Sequence, residues 1–427
     1  MKVSATLLLA AGLLPIWAQQ AAAVDIKQLK GEATADTNKQ QPGAKVTLSF
    51  GGIDAAVPTT AATSTTVAPT TSTITTATTT TTTSPGLDCT EDDFRMDVLG
   101  VLSDNLHLGD AACVALSRDE QFAYVSAPNS NSNFVSVIGV SEAADPVLVG
   151  SVSVQDPMNV ATSPDGRYLY VVGRDTRSLS VVDVTDPSAP AVVGVFVHTA
   201  LLDYAWGVAV SADGRHAYVT SPHADSLVVI DVGTDPTNPS LVGAVTDSIH
   251  LDYPMGIAKS ADEKYLYVAG YSSNSLAVVS VEDPTHPRVV GAVVGDTEHL
   301  HTPWTVATST DGKHAYVIAA SSQSLAVLDV SDPVHPAVVG SVVDSEKFDA
   351  PRFVVVAPAG NVVYVTGRYS NSLVAVDVTD PTDPTVVGGA VGDSELVEPC
   401  GVAVSSDGGF AYVAGEGGTF AVVSACS

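Results

Sequence analysis

The chain has 427 residues, with 47 acidic against 18 basic side chains and a formal net charge of -29. An excess of that size repels phosphate backbones and anionic lipid surfaces, so no nucleic-acid partner is expected. It suits a solvated extracellular surface, or one that meets divalent cations.

Residues 1–23 read as an export signal. Lys2 supplies the basic start, Ala5 to Trp17 the apolar core, and Ala18 or Ala21 to Ala23 a small-residue cleavage site. The mature protein is therefore expected to be secreted or displayed at the cell surface. No later segment reaches the ~18 uninterrupted apolar residues of a membrane span. Residues 24–57 are polar, with little periodicity and no evident core, and read as disordered. Residues 58–86 are almost wholly Thr, Ser, Ala and Pro, a composition that buries no apolar area and reads as a stalk or linker. Asn238 is followed by Pro239, so no N-glycosylation sequon is present.

Residues 87–427 form the repeat region, in which one phrase recurs with variations seven times between Ala123 and Val413: a small apolar run, Ser-x-Asp-Gly, a Tyr-Val strand, Ser-Leu-x-Val-Val-Asp-Val and Asp-Pro-x-x-Pro. Its tyrosines are Tyr124, Tyr170, Tyr218, Tyr267, Tyr316, Tyr364 and Tyr412, at spacings of 46 to 49 residues. Such a period specifies an all-β, seven-bladed propeller of four-stranded blades. In the copy from Gly207 to Val245, a short strand of small residues turns through Ala212-Asp213-Gly214-Arg215 into His216 to Thr220. Leu227 to Val232 is a third strand covered on both faces, and Leu241 to Val245 an outer fourth. Val98 to Asp104 matches the fourth-strand phrase, whereas the last copy stops after its third strand at Val423. The N-terminal strand should therefore complete the last blade and close the ring, removing two sheet edges. Four cysteines allow three pairings. Cys89 and Cys426 flank the closing strands, and Cys113 and Cys400 lead into the inner strands of the first and seventh blades, so the expected disulfides are Cys89–Cys426 and Cys113–Cys400.

Leu179 to Val184, Leu227 to Val232 and Leu325 to Val330 resemble LVIVD repeats, and Ala217 to Thr220 and Val363 to Thr366 resemble the related YVTN repeat. The resemblance spans roughly residues 96 to 426. It implies a propeller of a kind found in surface-layer, secreted and binding proteins. Similar propellers include lactonases and cofactor-dependent dehydrogenases, but no catalytic motif occurs here onto which their residues could be carried.

Residues that depart from the repeat are the candidates for a site. Loops from fourth to next first strand, and from second to third, share the face around the axial funnel, where ligands commonly bind. One loop position holds Ala112, Met158, Trp206, Met255, Trp304, Arg352 and Cys400, and should ring the funnel mouth. Arg174 and Arg368 occupy equivalent second-to-third-strand loops, near Asp175, Arg177, His223, Tyr271, Tyr369 and Glu416. Two Trp, two Met and three Arg could grip an apolar, planar or anionic ligand, or dock a protein or glycan partner. Asp247, His250, Asp296, His299 and His301 offer imidazole and carboxylate for a transition metal, or carboxylate for calcium. Against a shared ion, His107, aligned with His250 and His299, falls across the ring. The leading expectation is a binding or interaction scaffold rather than an enzyme. The alternatives are a metal-dependent, lactonase-like hydrolase and a structural component of an extracellular layer. Oligomeric state is not legible.

Overall fold

The computed structural model describes residues 48–50, 53–55, 96–128 and 133–425. Leu48–Phe50 and Ile53–Ala55 pair antiparallel within a separate N-terminal unit, residues 1–70. Cys89, Cys426, the export signal and the Thr-rich stretch lie outside the described residues.

Seven four-stranded antiparallel sheets follow, and in six of them all four strands are consecutive in sequence, each hydrogen-bonded to the next. Blade 3 is representative, with strands Val208–Val210, His216–Ser221, Ser226–Asp231 and Ser240–Thr246. Its third strand is an unbroken apolar run in which Leu227, Val228, Val229 and Ile230 are fully buried, because neighbouring blades cover both faces. The core accordingly lies between blades: Tyr218, Leu227 and Val229 of blade 3 pack on Leu266, Val268, Ala277 and Val279 of blade 4. All seven repeat tyrosines are buried in this way.

Short turns tie each blade together. Ser211 Oγ donates to Asp213 Oδ1 at 2.6 Å and accepts from His216 N at 3.0 Å, closing the first hairpin. The same Ser–Asp lock occurs in blades 1, 2, 4, 5 and 7, at Ser117, Ser163, Ser260, Ser309 and Ser405. In the outer strand, the repeated glycine admits the next blade's Asp-Pro turn. A Cβ at Gly243 would sit 2.5 Å from the carbonyl oxygen of Pro284.

Closure follows the sequence expectation. Val98–Ser103 pairs with Thr419–Ser424 as the fourth strand of blade 7. Asp97 N donates to Ser424 Oγ at 2.9 Å, and Ser424 N donates to Asp97 O at 2.9 Å.

The expected Cys113–Cys400 disulfide is not formed; both thiols are free and buried. Cys400 occupies the place of Ala112, so the residue facing Cys113 across the seam is Gly401, whose Cβ would lie 2.7 Å from Cys113 Cα. That offset of one residue sends the side chains apart, because successive residues of a strand point to opposite faces. The Cys113 thiol lies near the Val114 and Val160 carbonyls. The Cys400 thiol donates to Glu416 Oε1 at 3.1 Å.

Candidate functional site

At one end of the axis the loops enclose a cavity of about 400 Å³. All seven residues of the predicted ring position line it: Ala112, Met158, Trp206, Met255, Trp304, Arg352 and Cys400. The backbone delivers them by a repeated device. In blades 2, 4, 5, 6 and 7 the first strand opens on a proline, and its register with the second strand slips just after it, between Pro157/Val160, Pro254/Ile257, Pro303/Thr305, Pro351/Val354 and Pro399/Gly401. The residue after each proline thus sits in a bulge, which re-aims its side chain out of the ladder. Buried hydroxyls of the preceding blade hold the carbonyls of this position. Ser126 donates to Met158 O at 2.5 Å, Thr220 to Met255 O at 2.6 Å, and Thr366 to Cys400 O at 2.8 Å.

Two residues before each ring residue stands another with positive φ: Asp110, Asp156, Tyr204, Tyr253, Thr302, Ala350 and Glu398. Sequence reading missed this second ring. Tyr204 has φ 65° and Tyr253 φ 57°, a region costly for bulky side chains. Both line the cavity, with Tyr271 from a second-to-third-strand loop. Together with the two tryptophans they make a continuous aromatic arc. Ring centroids are 6.2 Å apart for Tyr204–Trp206 and Tyr204–Tyr253, 5.6 Å for Tyr253–Tyr271 and Trp206–Trp304, and 5.7 Å for Tyr271–Trp304. Burial, followed by the charge of neighbouring Tyr204, raises the Tyr253 hydroxyl above the ordinary phenol range.

The three predicted arginines differ in their partners. Arg174 forms a bidentate pair with Asp156, at 3.1 Å for both contacts, and lies over the Tyr204 ring. Against the pull of burial, Asp156, Tyr204 and Asp175 hold its guanidinium above the usual arginine range. Arg368, itself outside the cavity lining, bonds Glu398 at 3.0 Å and also pairs with Glu416 of the lining. Arg352 lies 4.0 Å over the Trp304 ring. Among the described residues it is in no ion pair, and its Nε is buried without a hydrogen-bond partner. Trp206 Nε1, in the same cavity, is likewise buried and unpartnered. Burial, and next the charge of Glu416, pushes the Cys400 thiol far up, so it stays protonated and serves as a donor to that carboxylate.

The candidate metal ligands are not gathered. Asp247 caps its own turn, accepting from Ile249 N and His250 N, and its second oxygen meets the His250 ring at 2.8 Å. Asp296 and His299 repeat this arrangement one blade on, and Asp104 and His107 repeat it in the loop leading into blade 1. His301 is exposed. No group of three or more His, Cys, Asp or Glu side chains able to share an ion occurs among the described residues. Lys347 replaces the histidine in blade 6, bonding Asp344 at 2.9 Å, as a turn-capping role allows and a ligand role does not. Among the described residues no helix is long and apolar enough to cross a membrane.

Fold and cavity define a seven-bladed propeller with an aromatic funnel at one end of its axis. The chain carries LVIVD repeats, matched at residues 157–197, 306–344 and 355–390. Residues 202–287 match the family described as Lactonase, 7-bladed beta-propeller. No curated protein matches the sequence. Among solved structures, the Pseudomonas aeruginosa periplasmic gluconolactonase PpgL is similar at 19% identity and TM-score 0.56, over 66% of this chain and 83% of that one. The Cps50 (Swd1) propeller domain of Myceliophteria thermophila aligns at 12% identity and TM-score 0.61, over 78% and 100%. Hydrazine synthase of Kuenenia stuttgartiensis aligns at 19% identity and TM-score 0.57, over 75% and 96%. At these identities the likeness is one of fold.

Proposed function

We propose that this protein is a secreted or surface-displayed binding propeller that takes a small ligand in its axial funnel. The observation that carries the reading is the aromatic arc, in which Tyr204 and Tyr253 are held in an unfavourable backbone region to face the cavity beside Trp206 and Trp304. Strain kept at a cavity rather than relieved is a mark of functional sites. A volume of about 400 Å³ falls in the range of small-molecule pockets, and its lining of aromatic groups with a few placed donors matches their chemistry.

Intrinsic fluorescence tests this directly. The only tryptophans are Trp17, Trp206 and Trp304. With Trp17 removed in the expected export signal, emission comes from the cavity alone. A compound that occupies the funnel shifts that emission and raises the melting temperature. A panel of sugars, lactones, carboxylates and amines that moves neither signal at millimolar concentration overturns the reading.

The second reading is a lactonase-like hydrolase. It is favoured by the family match over residues 202–287, a stretch that includes Tyr204, Trp206, Tyr253, Met255 and Tyr271 of the cavity. Lactone ring opening by the same purified protein, with and without EDTA, distinguishes catalysis from binding.

A further inference from the structure

Resting on the funnel as a binding site, we propose that its ligand is a planar carboxylate, an aromatic or conjugated acid, with its carboxylate on Arg352 and its flat body against the aromatic arc. Charge pairing decides the sign. Arg174 is matched by Asp156, and Arg368 by Glu398 and Glu416, whereas Arg352 lines the cavity without an ion-pair partner among the described residues. In a chain with 47 acidic and 18 basic residues, a cavity arginine left unpaired is the unexpected case. Its position is fixed nonetheless. Thr305 Oγ1 donates to the Arg352 carbonyl at 3.1 Å, and the guanidinium is stacked 4.0 Å over Trp304. A fork held in this way is prepared for a bidentate oxygen partner.

The unpartnered polar atoms agree. Within the cavity lining, the buried atoms lacking a partner are Arg352 Nε and Trp206 Nε1. Both are donors, so the polar character of this lining is complemented by acceptors on a ligand rather than by further donors. The aromatic lining alone would also suit a quaternary ammonium. Here, however, Arg174 lies over Tyr204 and Arg352 over Trp304, so two of the ring faces already carry a cation and a second would be repelled. Size sets the scale of the body: an apolar cavity of about 150 Å³ accepts benzene, so one of about 400 Å³ accommodates a fused or substituted ring with its acid group.

The test is calorimetric titration of the full mature chain with 2-naphthoate, its neutral amide 2-naphthamide, 2-naphthylmethylamine and cyclohexanecarboxylate. Naphthoate is expected to bind at least about tenfold more tightly than the amide, the worth of one charge-assisted contact. It should also bind more tightly than the non-planar acid, and the amine should bind most weakly. Arg352→Gln should abolish the preference for acid over amide while the amide affinity stays within about twofold. Arg352→Lys, which keeps the charge but not the fork, should retain part of the preference and guards against misfolding of the first variant. Equal binding of acid and amide, tighter binding of the amine, or an unchanged preference in a folded Arg352→Gln protein overturns the proposal and leaves the funnel as a site for another ligand class. If none of the four probes binds, the proposal is overturned, and the fluorescence panel of sugars, lactones, carboxylates and amines decides separately whether the funnel binds at all.

Discussion

Ala350 and Tyr253 occupy the same place in their blades, two residues before the ring, with φ of 50° and 57°. A left-handed backbone costs an L-residue roughly 1–2 kcal/mol, of which glycine's greater chain entropy returns about 0.5–1 kcal/mol when it is substituted. Ala350 is outside the cavity lining, so Ala350→Gly should raise the unfolding free energy by about 0.5–1 kcal/mol. The check is a higher urea midpoint at unchanged slope, with naphthoate affinity unaltered. Tyr253→Gly relieves the same strain but gives up ring contacts with Tyr204, His223 and Tyr271. At about 0.5–1.5 kcal/mol for each aromatic pair, that variant should be less stable than the parent and bind more weakly. The opposite signs at equivalent positions would show strain retained for the site. Thiol chemistry belongs to this scale too. Burial pushes Cys113 up to about 11, so it should resist iodoacetamide at pH 8 until the protein unfolds, as peptide mass spectrometry would show.

At the scale of the element, the first hairpin turn of the repeat is an acid-sensitive part. Hydrogen bonds from Ser117, Ser211, Ser309 and Ser405 are the main cause holding the Asp119, Asp213, Asp311 and Asp407 carboxyls below the usual range. A carboxyl lowered by folding adds stability that is complete above its unfolded value of about 3.9 and is lost as pH falls through the lower folded value. The melting temperature should therefore be nearly flat from pH 7 to about 5 and fall below about 4. Ser309→Ala should cost about 1 kcal/mol at pH 7, and the gap to the parent should narrow at pH 3; a gap independent of pH would assign the loss to packing instead. These turns were readable in the sequence because the repeat writes them in residues with one local job, Ser and Asp to bond the backbone and Gly to take positive φ. The ring of Met158 to Cys400 was readable for a related reason, since alignment on a periodic strand carries the loop position with it. Tyr204 and Tyr253 were not, because tyrosine carries no sequence mark of a left-handed backbone. The Asp247–His250 and Asp296–His299 pairs show the converse: ligand-type residues at ligand-like spacing, spent on capping their own turns.

For the whole molecule the decisive property is that the ring is closed. Two of the seams between blades can be compared at an inner-strand glycine, where backbones approach closely. A Cβ at Gly256 would lie 2.5 Å from Thr305 Cα at the seam of blades 4 and 5, and one at Gly401 would lie 2.7 Å from Cys113 Cα at the seam of blades 7 and 1. The first seam is continuous in chain, whereas the second exists only because Val98–Ser103 completes blade 7. In a cooperatively closed ring the two are equivalent, and Gly256→Ala and Gly401→Ala should lower stability alike, by about 1–3 kcal/mol of overpacking. If blade 7 frayed from blade 1 in solution, Gly401→Ala would be nearly silent while Gly256→Ala stayed costly. Deleting residues 97–104 removes the closing strand itself and leaves Thr419–Ser424 as a bare edge of the blade that carries Cys400 and Glu416. The truncated chain should lose its single cooperative melt and aggregate through that edge. It should lose funnel binding with it, since the cavity wall draws on Cys400 and Glu416 of blade 7 as well as Asp110 and Ala112 before blade 1. A truncated protein that melts and binds as the parent does would mean that the ring holds its shape without closure.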